Sequence, residues 1–538
     1  MNSATLRPLP AVDFTQANQC LAVLRNLNAT DIDETRMTIA RLLEGMSLHP
    51  PGPEAHLQVL EEMRGTLDFV LDQAAQRYAS RPLPPAAADE ETLRGVVSLW
   101  QAVAGNYTQL GERAATDPIL AVHRALLAHR RMHYSTMAMI EYFRARRELP
   151  IGMWRTLHAQ FATAERNGVA DIRVVDALNE TWGAQSTRES YVAMLLIDAA
   201  GPYSRTPREF GWLVRWAQRF APYCELQPSF TPEKNSIYGL DTEADHGLRP
   251  AGLLLPEAKV RGLVTKKLAA HIHAVVSQLK KGVAAASLGL GEDCVQPACA
   301  RLLVSLYRPW GLASAGRKFQ RRTLRGQVHL CADPLAMAFF LEGREFAQPS
   351  DSTRTSFSET QVFRAFGDRV EEAELTGEQL LARAAQKGYV QEAWDVADQS
   401  VVGYRLSRQR GDTRLEHRQL VGVRQTSNER MLLAEISWLQ YQQNGALYAG
   451  VNLMPGPPQV VAVKLLLNDR TARERYRVGF LIPGVQALKT DVTLVVPAGW
   501  FLADRRIEVH NGETPWFARL MKLASRGSNF DRVSFIRE

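Results

Sequence analysis

The chain has 538 residues, 46% hydrophobic and 22% charged, a balance that excludes a disordered or fibrous protein and supplies several buried cores. A formal net charge of +7 suits an anionic ligand, a nucleic acid or an acidic partner without choosing among them. Five cysteines, an odd number, argue against a disulfide framework.

In chain order, the first residues (MNSATLRPLPAVDF) carry neither a basic n-region nor an apolar h-region. No later apolar run is long enough to span a bilayer, so a cytoplasmic location is expected. Residues 1–225 read as a helical domain, a bundle or a solenoid without a clean repeat. Asp31-x-x-Glu34 opens a helix over 32–46 as a capping box, with Ile39, Leu42, Leu43 and Met46 on one face. Helices follow at 56–78, 91–113, 118–147, 150–167, 176–198 and 207–221, broken by proline-rich stretches such as Pro50-Pro51-Gly52-Pro53. His129 and His133 stand at i, i+4. Without a His-Glu-x-x-His pattern they read as surface or capping histidines, not metal ligands. Arg144, Arg146 and Arg147 end their helix, where cations complement the dipole. Met132, Met137 and Met139 read as core filling.

Residues 226–315 read as an α/β linker domain, with a short strand at 237–240 and amphipathic helices at 264–280 and 296–307. Cys294 and Cys299 lack the second pair or histidine that zinc needs and read as buried thiols on a helix. Gly289-Leu290-Gly291 is no Rossmann fingerprint, since no strand leads into it. GLASAGRK (311–318) has arginine where a P-loop needs its phosphate lysine. No Gly-x-Ser-x-Gly, His-Glu-x-x-His or Cys-x-x-Cys occurs, so neither a catalytic nor a metal site is expected.

From residue 404 the pattern turns to short β-branched and aromatic runs: 404–406, 415–423, 432–439 and 447–453. Turn signals separate them, Asn444-Gly445 the strongest. An antiparallel meander closing into a barrel is the expectation for 316–455. After Pro455-Gly456-Pro457-Pro458 a second β domain follows over 456–538. Strands are expected at 460–467, 476–482, 492–496 and 507–510, a short helix or edge segment at 516–524, and a closing strand at 533–536.

Two motifs carry the chemistry. Arg321 and Arg325 stand as Arg-x-x-x-Arg, with Arg322 one residue out of that frame, and Asp398-Gln399-Ser400-Val401-Val402-Gly403 is an Asp-x-Ser-x-x-Gly. A guanidinium fork binds phosphate or the O6/N7 edge of guanine. A carboxylate accepts the guanine N1 and N2 hydrogens, and a serine hydroxyl donates to phosphate. The second motif is the rarer, expected by chance in about one chain in ten of this length. Together with Leu420-Val421-Gly422-Val423, Ile436-Ser437-Trp438 and Tyr448-Ala449-Gly450-Val451, these segments resemble a PilZ domain, the small β-barrel with which bacteria bind cyclic di-GMP. The resemblance covers roughly residues 315–455, about a quarter of the chain.

The resemblance implies that Arg321, Arg322 and Arg325 grip guanine edges and phosphates, and that Asp398 reads the guanine Watson–Crick edge. Ser400 contacts phosphate, and Gly403 lets the ligand approach the barrel wall. Trp438 is expected to be exposed. One departure is the spacing: about twenty to thirty residues part the motifs in that family, and here Arg325 and Asp398 are 73 apart. The excess lies at about 342–394, expected as a mobile loop over 348–360 and then an amphipathic helix over 376–388, with Leu380, Leu381 and Ala384 on one face. The whole reads as a multidomain α+β protein, a non-enzymatic cyclic-di-GMP effector or adaptor whose helical region engages a protein partner. A degenerate PilZ-like scaffold that binds no nucleotide, and a nucleic-acid-binding protein, are the alternatives.

Overall fold

The computed structural model describes residues 12–230, 238–250, 254, 260–312, 322, 326–349, 377–425, 430–466, 475–512 and 515–538. They divide into two compact units: the described residues up to 312 apart from 82–84, and residues 82–84 with those from 322 onward.

The first unit is mostly helical: α1 (Ala17–Arg25), α2 (Ile32–Leu48), α3 (Pro53–Ala75), α4 (Ala87–Arg113), α5 (Pro118–Ala121), α6 (Arg124–Arg144) and α7 (Met153–Arg166). A hairpin of β1 (Val174–Val175) and β2 (Ala184–Gln185) precedes α8 (Thr187–Ala199) and α9 (Pro207–Phe220). The helix expected over 176–198 therefore starts late. Ser186 and Glu189 form a full capping box that fixes its first turn, while Asp176 is drawn into the interior by Arg64, at 2.7 and 2.8 Å, and by Arg130, at 2.7 Å. Arg130 also binds Glu61 through two bonds of 3.0 Å, and Tyr107 donates to Glu61 at 2.6 Å. Burial alone would raise the Asp176 carboxyl; the Arg64 hydrogen bonds and the Arg130 and Arg64 charges outweigh it and hold it at about 2.

This network corrects two readings of the sequence. His129 and His133 are not surface or capping residues: their rings stack 6.1 Å apart, and His129 is buried beside Arg130. Burial, with the Arg130 charge, lowers the His129 pKa to about 4. The arginine cluster ending α6 likewise does more than complement a dipole. Arg144 pairs with Asp72 and Glu141, buried Arg146 donates to the Arg205 carbonyl, and buried Arg147 pairs with Glu90.

Strands β3 (Glu225–Gln227), β4 (Tyr238–Asp241), β5 (Arg249–Pro250) and β6 (Val260–Val264) form a small sheet in the order β3-β6-β4-β5. With α10 (Lys266–Lys280) and α11 (Ala298–Tyr307), it accounts for the residues read as a linker domain. Such short strands cannot enclose a core, and Leu240, Leu263, Ile272 and Leu303 bury themselves in the same cluster as Trp212, Trp216 and Phe220 of α9. Cys294 and Cys299 are both buried, but only Cys299 lies on a helix, and their sulfurs are paired in a disulfide. No helix among the described residues is long and apolar enough to cross a membrane.

The second unit holds two closed six-stranded antiparallel barrels. The first comprises β7 (Gln327–Cys331), β8 (Glu392–Ser400), β9 (Gly403–Arg408), β10 (Leu420–Gln425), β11 (Leu432–Tyr441) and β12 (Leu447–Leu453). The second comprises β13 (Gln459–Leu465), β14 (Arg477–Ile482), β15 (Thr493–Pro497), β16 (Arg506–His510), β17 (Trp516–Arg526) and β18 (Phe530–Arg537). Numbered from its own first strand, each closes in the order 1-2-3-6-5-4, so one chain path is laid down twice. The segment expected as a short helix or edge, 516–524, is an interior strand. It alternates buried Trp516, Ala518 and Leu520 with more exposed neighbours and pairs with β16 and β18.

The strand expected from Leu415 begins only at Leu420. Leu415 instead exchanges backbone hydrogen bonds with Leu83, at 2.7 and 2.8 Å, and both side chains join the first barrel's interior with Trp394, Leu406 and Val451. Arg414 holds Pro82 and Pro84 by their carbonyls, at 3.1 and 2.9 Å.

Between the barrels lies α12 (Pro334–Glu342), apolar on every side, with Met337, Phe339 and Phe340 packed against Leu433 of β11 and Phe480 of β14. Helix α13 (Gly377–Gln386) docks there too, through Ala384 and Leu380, whereas Leu381 is 47% exposed and does not share their face. Most of the loop expected over 348–360 lies outside the described residues, but Gln348 is held: its side chain exchanges two hydrogen bonds of 2.9 Å with the Tyr476 backbone. The turn joining β17 to β18 hooks onto the first barrel. Asn529 accepts the Leu420 amide at 2.8 Å and Ser528 donates to the Arg418 carbonyl at 3.0 Å.

Candidate functional site

The Asp-x-Ser-x-x-Gly motif is the hairpin between β8 and β9. Ser400 pairs with Gly403, so Val401 and Val402 form a two-residue tip, 75% and 38% exposed. A bulge between Val396 and Asp398 shifts the alternation of β8. Val396 faces the interior with Leu406; after the bulge Asp398 lies opposite Arg405, and Gln399 opposite buried Tyr404. Directly opposed residues share a face, so the bulge turns Asp398 outward with Arg405.

One residue of the arginine segment, Arg322, is placed against this hairpin. Arg322 forms an antiparallel bridge with Gln399, its amide donating at 2.9 Å and its carbonyl accepting at 3.0 Å. By register Arg322 shares the face of Gln399, not that of Asp398. Arg321 and Arg325 lie outside the described residues.

Asp398 and Ser400 are half-buried, and the Ser400 hydroxyl reaches the Gly403 carbonyl at 3.3 Å. Gly403 has a reason unlike the one the resemblance implies. A Cβ there would collide with the Val451 carbonyl of β12, so close approach of the neighbouring strand by itself requires a glycine here. Trp438 is likewise not fully exposed: its indole covers Gly450, where a Cβ would strike it. Two residues beside the motif, Arg405 and Tyr448, were not assigned to the site from the sequence. Arg405 stands opposite Asp398, its guanidinium 5.4 Å from the Tyr448 ring centre. The one available signal was their alternation, since Arg405 follows Gly403 by two positions in an apolar strand.

The outward face of this hairpin thus gathers a carboxylate, a hydroxyl, a guanidinium on an aromatic ring and an exposed apolar tip. Such a set suits a ligand with both a phosphate and a base edge. No cluster of metal-ligating side chains occurs among the described residues.

No solved structure matches the chain. Residues 18–232 match the family described as the N-terminal domain of the cyclic-di-GMP receptor FimW. Residues 461–537 match the FimW C-terminal β-barrel domain, which corresponds to the second barrel. The first barrel lies between these two regions. Along 94% of its length the chain is 24% identical to the cyclic-di-GMP receptor FimW of Pseudomonas aeruginosa, of which 88% is covered. The helical N-terminal region and the second barrel are thus similar to the N-terminal and C-terminal domains of the cyclic-di-GMP receptor FimW family.

Proposed function

We propose that this chain is a cytoplasmic cyclic-di-GMP effector whose first barrel, a PilZ-like one, holds the nucleotide on the outward face of the β8–β9 hairpin. The observation that supports the reading is the Arg322–Gln399 bridge, which sets one residue of the arginine motif beside the Asp398–Gly403 hairpin across the intervening chain. The relative named as a cyclic-di-GMP receptor supports the same ligand. Arg321 and Arg325 grip phosphate and guanine, Asp398 accepts from guanine N1 and N2, and Ser400 donates to phosphate. Arg405, stacked on Tyr448, supplies a further cation. The helical region engages a protein partner, and the chain catalyses nothing.

Titration calorimetry with cyclic di-GMP, beside GTP and cyclic AMP, tests the reading. Asp398→Ala and Arg325→Ala should each weaken binding by roughly 1.5–3 kcal/mol, the scale of a charge-assisted hydrogen bond. Failure of the wild-type chain to bind, or unchanged affinity in both variants, would refute the site.

A further inference from the structure

Helices α4 and α7 both pack on α6 and leave a groove between them, floored by α6. It has two lobes of about 390 and 450 Å³ that share Thr108, Arg131 and Gln160. Its floor runs along α6 from Arg124 to Met139, about 22 Å at the rise of an α-helix.

The α4 wall of this groove carries two glycines. A Cβ at Gly105 or Gly111 would meet nothing within 4 Å, so packing within the protein requires neither glycine. Each weakens the helix relative to alanine.

Two polar side chains at the junction of the lobes are unsatisfied. Gln160 is 7% exposed; its amide donates to the Ser135 hydroxyl at 2.8 Å, and its Oε1 is buried without a hydrogen bond. Arg131 makes no ion pair or hydrogen bond among the described residues, and its Nε is buried. Burial lowers its pKa, opposed only by the charge of Glu112. The other cation on the groove, Arg124, is committed to the Ala114 carbonyl at 2.9 and 3.2 Å. An open acceptor and an open cationic donor therefore stand on one narrow channel, and burying either without a partner is costly.

An extended polypeptide supplies both partners at once: a backbone N–H for Gln160 and a side-chain carboxylate for Arg131. About six residues of extended chain span the floor. A nucleic acid fits less well, because Tyr107 is the one aromatic ring among the described lining residues. That ring is fully buried against Tyr134, which leaves no stacking platform.

We propose that the α4–α6–α7 groove binds an extended acidic peptide segment of a protein partner, with Arg131 on its carboxylate and Gln160 on its backbone. The inference rests on the partner reading above and gives it a location; it does not depend on the nucleotide.

The test is selection of phage-displayed random heptapeptides on the full-length chain, followed by fluorescence anisotropy with the labelled winners. The expected result is an Asp or Glu at one fixed position, with affinity at least tenfold lower in Arg131→Ala. Arg131→Glu should select a basic residue at that position instead. Gly105→Leu and Gly111→Leu should fill the groove and abolish binding while the thermal midpoint stays level or rises, which separates a blocked groove from an unfolded one. Cyclic-di-GMP affinity, measured on the same variants, should not change. Winning peptides that bind the leucine variants undiminished would overturn the groove. So would a wild-type chain that selects no peptide, or one that binds a single-stranded oligonucleotide there in place of peptides.

Discussion

Arg322 and Gln399 exchange both of their backbone hydrogen bonds, at 2.9 and 3.0 Å, although β7, α12 and α13 all lie between them in the chain. Length in an insertion costs little, since loop-closure entropy grows only with the logarithm of the residues enclosed. The bridge depends on backbone and not on the arginine side chain. Arg322→Pro, which removes the donor, should weaken cyclic di-GMP by about 1 kcal/mol, the net worth of one hydrogen bond. Arg322→Ala should bind as wild type does. Equal calorimetric affinities in the proline variant and the wild type would show that the bridge does not organise the site.

Gly403→Ala should destabilise the first barrel by roughly 2–3 kcal/mol, because the new methyl meets backbone that cannot move aside cheaply. The loss should appear in urea unfolding without any ligand. A variant as stable as wild type, yet defective in nucleotide binding, would restore the role that the resemblance assigned to this glycine.

Asp176→Ala should cost about 3–5 kcal/mol, since it leaves the buried Arg64 and Arg130 guanidiniums without their shared carboxylate. Chemical denaturation followed by tryptophan fluorescence reads this, through Trp212 and Trp216 of the same unit. A loss below about 1 kcal/mol would mean that Glu61 alone satisfies both arginines.

Acid should weaken the helical unit in two stages. The folded protein holds His129 neutral down to about pH 4, whereas the unfolded chain takes up its proton near the ordinary 6.5. Stability is therefore full above about pH 6.5 and falls toward pH 4, by up to about 1.4 kcal/mol per pH unit for this one ring. Neighbouring His133 is shifted in the same direction by burial and by His129. Asp176 then adds a second loss, present above its unfolded value of about 4 and gone near 2. Denaturation at a series of pH values should show the slope, and His129→Gln should flatten it between pH 6.5 and 4. An unaltered slope would assign the acid sensitivity to other groups.

Leu83→Ala should lower the stability of the first barrel by about 2–4 kcal/mol, as expected for a buried leucine in a closed core. Hydrogen exchange at Leu406 and Val451, which share that core, is the local readout. Unchanged protection there would mean that Leu415 closes the barrel end unaided.

Sequence patterns exposed the parts of this protein that local chemistry decides. Asp31 marks a helix start through its cap, and the alternation with the turn at Asn444-Gly445 gives the strands of the first barrel, although β9 pairs with β12 and not with β10 as a simple meander would have it. What stayed hidden was decided by distant partners. Nothing near Asp176 says that two arginines from α3 and α6 will take it inward. Nothing near Leu83 says that it completes a barrel formed more than two hundred residues later. At the site, the motif located Asp398, Ser400 and Gly403, but the packing reason for Gly403 needed β12, and Arg405 became visible only once the bulge had set its register.

The hook of Ser528 and Asn529 on Arg418 and Leu420 has a mechanical consequence. Flexing the barrels against each other would require breaking both bonds and shearing the layer of α12 side chains wedged between them. Exchange of the Leu420 and Ser528 amides with solvent is therefore tied to any such movement.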